Sequence, residues 1–189
     1  MSEHPVSRFD VPELDDVPDD IRQVILGVQE KAGFVPNVFL ALARRPAEFR
    51  AFFAYHDALM ESDEGLSKAE RELIVVATSG SNRCLYCVVA HGAILRIRAK
   101  APLLADQVAT NPLKADLTDR QRHIVEFAML IAHESDEVTG DDLDDMRSKG
   151  FTDDEIWDIG AITSLFALSN RMANFAGIRP NVEFYAMGR

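Results

Sequence analysis

Along nearly the whole chain apolar residues return every three or four positions, a period that predicts helices rather than strands. After a polar, proline-containing lead to about Asp19, IRQVILGVQEKAG puts Ile21, Val24, Ile25 and Val28 on one stripe and stops at Gly33. GFVPNVFLALARR then restarts with Pro36 in a first-turn position, where a missing N–H leaves no bond unmade. The next helix is expected from Pro46, with Phe49, Phe52, Phe53, His56 and Met60 on one face. Ser67 with Glu70, Thr118 with Gln121 and Thr152 with Glu155 carry the reciprocal capping pattern that opens a helix. They precede KAERELIVVATSG, DRQRHIVEFAMLIAHES and DDEIWDIGAITSLFALSNRMANFAG, and CLYCVVAHGAILRIRAK and a shorter helix near Leu103 to Thr110 fill the middle. The runs IVV and CVVA have a strand-like composition but neither alternation nor hairpin turn chemistry. The expectation is an all-α, compact multi-helix bundle. Residues 1–189 form a single domain, of which 1–19 are the polar lead.

Composition narrows the partners. The chain is 47% hydrophobic and 27% charged, with a net charge of −11, which disfavours nucleic-acid backbones and anionic membranes. Between His133 and Asp158, eleven Asp or Glu face only Arg147 and Lys149, the pattern of a solvated helical face. No apolar run approaches the roughly 20 residues that span a bilayer, and the first residues lack a signal-peptide core, so a cytoplasmic location is expected.

Both cysteines fall in SNRCLYCVVAHG, with His91 four residues after the second. In a reducing compartment a C-x-x-C reads first as catalytic or metal-binding. If the helix starts near Cys84, then Cys84, Cys87 and His91 share one face, and Cys84 lies where unpaired backbone N–H groups favour a thiolate. His91 is one turn from Cys87, within reach of its proton. Glu72, on an otherwise apolar face of the preceding helix, needs a partner. A hairpin turning over Gly80 to Arg83 puts Glu72 and His91 each roughly 12 Å from the turn, at the same height on facing helices. Carboxylate, imidazole and two thiols then form a line suited to proton transfer and disulfide formation.

Two alternatives stay open on the residues alone. Cys84, Cys87, His91 and Glu72 are also possible zinc ligands, although there is no third cysteine and the other imidazoles are His4, His56, His123 and His133. The cysteines can equally be small buried core residues. His56 sits on the phenylalanine stripe and reads as a core histidine before a member of the relay. Asn170, Arg171 and Asn174 suggest helix–helix hydrogen bonding or a subunit contact, and Trp157 and the phenylalanines suggest core or interface.

The spacing E-x11-C-x2-C-x3-H, with the flanks GFVPNVF, GLSKAERELIVVATSGSNRCLYCVVAHGA and NRMANFAGI, resembles the alkylhydroperoxidase D-like branch of the carboxymuconolactone decarboxylase superfamily. The likeness runs over about residues 10 to 185 and is nearest to the subgroup called peroxidase-related enzymes. It implies that Cys87 attacks the peroxide, Cys84 resolves the intermediate as a redox-active disulfide, and His91 acts as base with Glu72 behind it. Some relatives carry a relay histidine just before the second cysteine; here that residue is Tyr86, a possible relay or pocket residue together with His56. The implied function is a thiol-dependent hydroperoxidase with no bound cofactor or metal. It would draw on a dithiol or lipoyl-type reductant and assemble as a homo-oligomer. The competing functions are a non-catalytic redox-sensing or metal-binding helical module and, more remotely, a decarboxylase-like lyase. Repeated peroxide turnover distinguishes the enzyme from the module.

Overall fold

The computed structural model describes residues 5–189, so His4 lies outside the described residues. Among the described residues ten α-helices follow one another: α1 (Asp19–Ala32), α2 (Asn37–Ala43), α3 (Pro46–Met60), α4 (Lys68–Ser81), α5 (Leu85–Ala99), α6 (Leu104–Thr110), α7 (Asp119–Glu134), α8 (Gly140–Ser148), α9 (Asp153–Ala176) and α10 (Glu183–Ala186). The described residues contain no strand. The three expected capping boxes all form. At a fourth helix start the Asp142 carboxylate accepts from the Thr139 N–H and hydroxyl, a pairing with Asp at the third position that the Ser/Thr–Glu/Gln pattern misses.

Helix α4 is the axis of the fold. Arg71 through Ser79 are all buried, because α5, α6, α7 and α9 pack around it on every side. This explains why IVV looked strand-like: a helix enclosed all round loses its polar stripe. Each of Leu73, Ile74, Val75 and Val76 is no more than 1% exposed, a gain of about 1.5–3 kcal/mol per side chain over exposure. Gly80 lets α6 approach closely, since a Cβ there would stand 2.6 Å from the Ala109 carbonyl oxygen.

The periphery departs from the expected stripes. On α1 only Ile21 and Ile25 are buried and Val24 is exposed, because this helix packs chiefly on α2 and α3 and needs a narrow apolar face. Trp157 (73% exposed) and Phe175 (62%) are surface residues, not core. The described part of the lead is tied to the bundle: the Arg8 N–H and the Ser7 hydroxyl both donate to the Ala176 carbonyl at the end of α9. The similar runs PNVF (36–39) and PNVEF (180–184) meet through their asparagines. Asn181 Oδ1 accepts from the Asn37 N–H, Asn37 Nδ2 donates to the Arg179 carbonyl, and Asn181 Nδ2 donates to the Val35 carbonyl. This clasp fixes the C-terminal segment against α2.

Candidate active site

The site is built on the hairpin of α4 and α5, and its turn is a tight one. Arg83 adopts a left-handed φ of +53°, its N–H bonds to the Gly80 carbonyl, and the Cys84 N–H reaches back to the Ser79 carbonyl. These are the paired bonds that close a helix C-terminus around a left-handed residue. Cys84 is therefore at once the last residue of that closure and the N-cap of α5, one step ahead of the expected first-turn position. The short turn keeps the helices in register, so a residue on α4 meets its counterpart on α5 at equal height.

That register brings Glu72 to His91. Glu72 Oε2 stands 2.8 Å from His91 Nδ1, with Glu72 only 2% exposed. Facing a carboxylate, Nδ1 carries the ring proton, which leaves Nε2 as the nitrogen able to accept one. The other oxygen, Oε1, accepts from Arg98 Nη1 at 3.2 Å, and Arg98 Nη2 donates to Glu61 at 2.7 Å. Arg98 was not singled out from the sequence. It follows His91 by seven residues, two helical turns, so extending the 84, 87, 91 stripe one step further reaches it.

Both thiols are free and buried. The Cys84 thiol is lowered from 9.0 to about 7. A hydrogen bond from Cys87 is the main cause; burial opposes it, and the backbone N–H groups of Cys87 and Tyr86 and the Asn170 amide assist. Cys87 is pushed well above its ordinary value, first by donating to Cys84, then by burial and by the neighbouring negative charge. The thiolate of the resting pair thus sits at the helix N-terminus, on Cys84. Ser169 Oγ lies 3.9 Å from Cys87 Sγ. Asn170, fully buried, donates to Ser79 Oγ and accepts from Asn82 Nδ2, each at 2.9 Å. The expected helix–helix role of Asn170 is met, and its amide also serves the thiols. Ser169 carried no sequence signal, because it is an ordinary small residue in an apolar helix.

Tyr86 and His56 stand beside this line. The Tyr86 hydroxyl accepts from the Val38 N–H at 3.3 Å, and burial, with the adjacent thiol charges, raises its pKa and keeps the phenol neutral. It forms no hydrogen bond with His91 or either cysteine among the described residues, so its place is in the wall toward α2. The His56 ring centroid is 6.4 Å from that of His91, both rings pack on Phe166, and His56 Nδ1 pairs with Asp57 at 2.9 Å. His56 borders the site without bonding to it. Among the described residues no three His, Cys, Asp or Glu side chains converge as a metal site requires. The Glu72 carboxylate is in any case engaged by His91 and Arg98.

The site is thus a helical hairpin bearing a buried carboxylate–imidazole pair beside a dithiol at a helix N-terminus, and comparison with known proteins shows the family to which the chain belongs. The carboxymuconolactone decarboxylase family model matches residues 46–109, which span Glu72, Cys84, Cys87 and His91. An uncharacterized peroxidase-related protein from Ralstonia eutropha, described as an alkylhydroperoxidase core, is 66% identical over 98% of both chains, with a TM-score of 0.97. A second peroxidase-related protein, from a Silicibacter species, is 37% identical over 100% of both chains, with a TM-score of 0.93. The chain belongs to the alkylhydroperoxidase D-like branch of the carboxymuconolactone decarboxylase family. The debrominase Bmp8 shares the fold at 17% identity, with a TM-score of 0.77 over 96% of this chain and 95% of its own. No functionally curated protein matches the chain.

Proposed function

We propose that the protein is a thiol-dependent hydroperoxidase that cycles Cys84 and Cys87 between dithiol and disulfide. The observation that carries this reading is the line Glu72–His91 on the hairpin, with a base nitrogen one turn from Cys87 and a Cys84 thiol lowered to about 7 beside it. His91 Nε2 takes the Cys87 proton. The Cys87 sulfur attacks the distal oxygen of the peroxide, the O–O bond breaks, and the alkoxide leaves as the alcohol with the proton held by His91. Cys87 is then a sulfenic acid. Cys84, as the thiolate, attacks its sulfur and expels hydroxide, which leaves as water after taking a proton, and an S–S bond forms. A dithiol reductant of the lipoyl type returns two electrons and two protons by thiol–disulfide exchange. Arg98, by donating to Glu72 Oε1, holds the carboxylate oriented toward His91, and so acts as a positioning residue.

The cycle needs a reducing supply, which supports a cytoplasmic location. Steady-state consumption of cumene hydroperoxide with dihydrolipoamide as donor tests the reading. Wild type should turn over many equivalents and Cys87→Ser none. A single equivalent consumed by wild type, with no turnover, would instead establish a redox sensor. After one equivalent of peroxide, the intact mass should show the loss of two hydrogens that marks the Cys84–Cys87 disulfide.

A further inference from the structure

An apolar cleft runs close to the thiols, and a hollow that adjoins it is lined by two arginines. Between α2, α3 and α9 lies a cleft of about 390 Å³, walled by Val38, Leu42, Phe52, Leu165, Met172 and Ala173. Ser169 is among its lining residues, and Ser169 Oγ lies 3.9 Å from Cys87 Sγ, which does not itself line the cleft. A second hollow of about 320 Å³ adjoins it and shares Leu42, Glu48, Met172 and Ile178 with the first. Its rim carries Phe9, Phe175 and the guanidinium groups of Arg44 and Arg45.

Both cations are available to a ligand. Arg44 lies 5.6 Å over the Phe9 ring, donates one N–H to the Asp10 carbonyl, and forms no salt bridge among the described residues. Arg45 pairs with Glu48 at 3.0 Å, with 71% and 59% of the two side chains exposed, which makes the pair weak and exchangeable. In a chain of net charge −11, adjacent arginines at the mouth of an apolar trough run against the overall field. The trough is far larger than hydrogen peroxide needs, and lies in the roughly 300–1,000 Å³ range of sites that enclose organic ligands.

Tail, reactive group and head therefore have separate places. We propose that the site takes a carboxylate-headed, long-chain organic hydroperoxide, with the chain and peroxide in the trough and the carboxylate on Arg44 and Arg45. The inference rests on the peroxidase reading for its chemistry but not for its binding, and the reaction is the two-electron reduction written above. The competing occupant is a second copy of this chain, which the exposed Leu168, Met172 and Phe175 on α9 would suit.

Two measurements on the full chain test it. Binding of laurate, which cannot be turned over, should weaken about tenfold in the double variant Arg44→Gln/Arg45→Gln, the size of one charge-assisted contact, while methyl laurate should bind both proteins alike. In turnover, the ratio of kcat/KM for linoleic acid hydroperoxide to that for its methyl ester should fall by about the same factor in that variant. An unchanged ratio, or laurate binding indifferent to the two arginines, overturns the proposal. So does a dimer that Met172→Asp converts to a monomer in light scattering, because the trough would then be covered by the partner copy. Arginine-dependent laurate binding without turnover of any hydroperoxide upholds the site and removes the peroxidase reading. Cumene hydroperoxide consumption with acid and ester treated alike does the reverse.

Discussion

Arg71 and Glu72 are neighbours on α4, and each carries a charge where water does not reach: Arg71 is 0% exposed and Glu72 2%. Their surroundings differ in kind. The Arg71 guanidinium donates to the carbonyls of Leu59, Glu64 and Leu66 and pairs with Asp158 at 2.8 Å. Three of the four partners are backbone carbonyls, so the side chain ties down the loop between α3 and α4 and faces no group that could take its proton. Glu72 is held by Arg98 on one oxygen and by a titratable imidazole on the other. The first arrangement is saturated and structural; the second ends in a nitrogen able to take a proton. Burial of charge alone does not mark a functional residue, whereas burial beside a group that can change its charge does.

The comparison is broken most severely by removing that nitrogen. His91→Ala should slow peroxide turnover by about 10²–10⁴-fold, the usual range for a general base, with thermal stability near wild type. Glu72→Gln, which keeps the shape and removes the charge, should lose less than His91→Ala. If Glu72→Gln leaves turnover unchanged, the carboxylate belongs with Arg71 as a structural group.

Arg71→Ala should act the other way round. Stripping a buried ion pair of one partner costs about 3–5 kcal/mol, a fall in Tm on the order of 10 °C for a chain of this size. The turnover of each folded molecule should be preserved at a temperature where the variant remains folded. Calorimetry beside active-site titration separates the two quantities, and a large loss of kcat in folded Arg71→Ala would abolish the distinction.

A smaller effect sharpens the placing of the thiolate. Since the Cys84 thiol is lowered to about 7, iodoacetamide modification of the pair should gain its rate as pH rises through that value rather than near 9.0. The sign follows from the folded state favouring the anion: the stabilisation is present at high pH and is lost as pH falls through about 7. Asn170→Ala removes an amide that favours the thiolate, so it should move the midpoint upward. Mass spectrometry of the modified peptide should find the label first on Cys84, and labelling only at Cys87 would reverse the assignment.

The smallest effect concerns the turn. Arg83 holds a left-handed φ of +53°, which costs a non-glycine residue roughly 1–2 kcal/mol. Arg83→Gly should raise Tm by a few degrees without altering the Cys84 modification profile. A fall in Tm would mean that the Arg83 side chain has an interaction outweighing the strain.

Much of this was legible in the chain alone. Helix type, the starts at Pro46, Ser67, Thr118 and Thr152, the end at Gly33 and the hairpin over Gly80 to Arg83 rest on local chemistry: caps, periodicity, and the φ freedom of glycine. The Glu72–His91 pairing was also legible, because two rigid helices joined by a short turn convert sequence distance into height. Tertiary structure decided the rest. Arg98 and Glu61 meet across 37 positions, and Ser169 and Asn170 reach the hairpin from a helix more than 80 residues away, so no local pattern could announce them. Val24, Trp157 and Phe175 are exposed because burial depends on which helices come to lie against a stripe, a matter of the whole packing. The trough beside Cys87 has the same origin: α2, α3 and α9 each contribute a wall, and its shape exists only once the three have met.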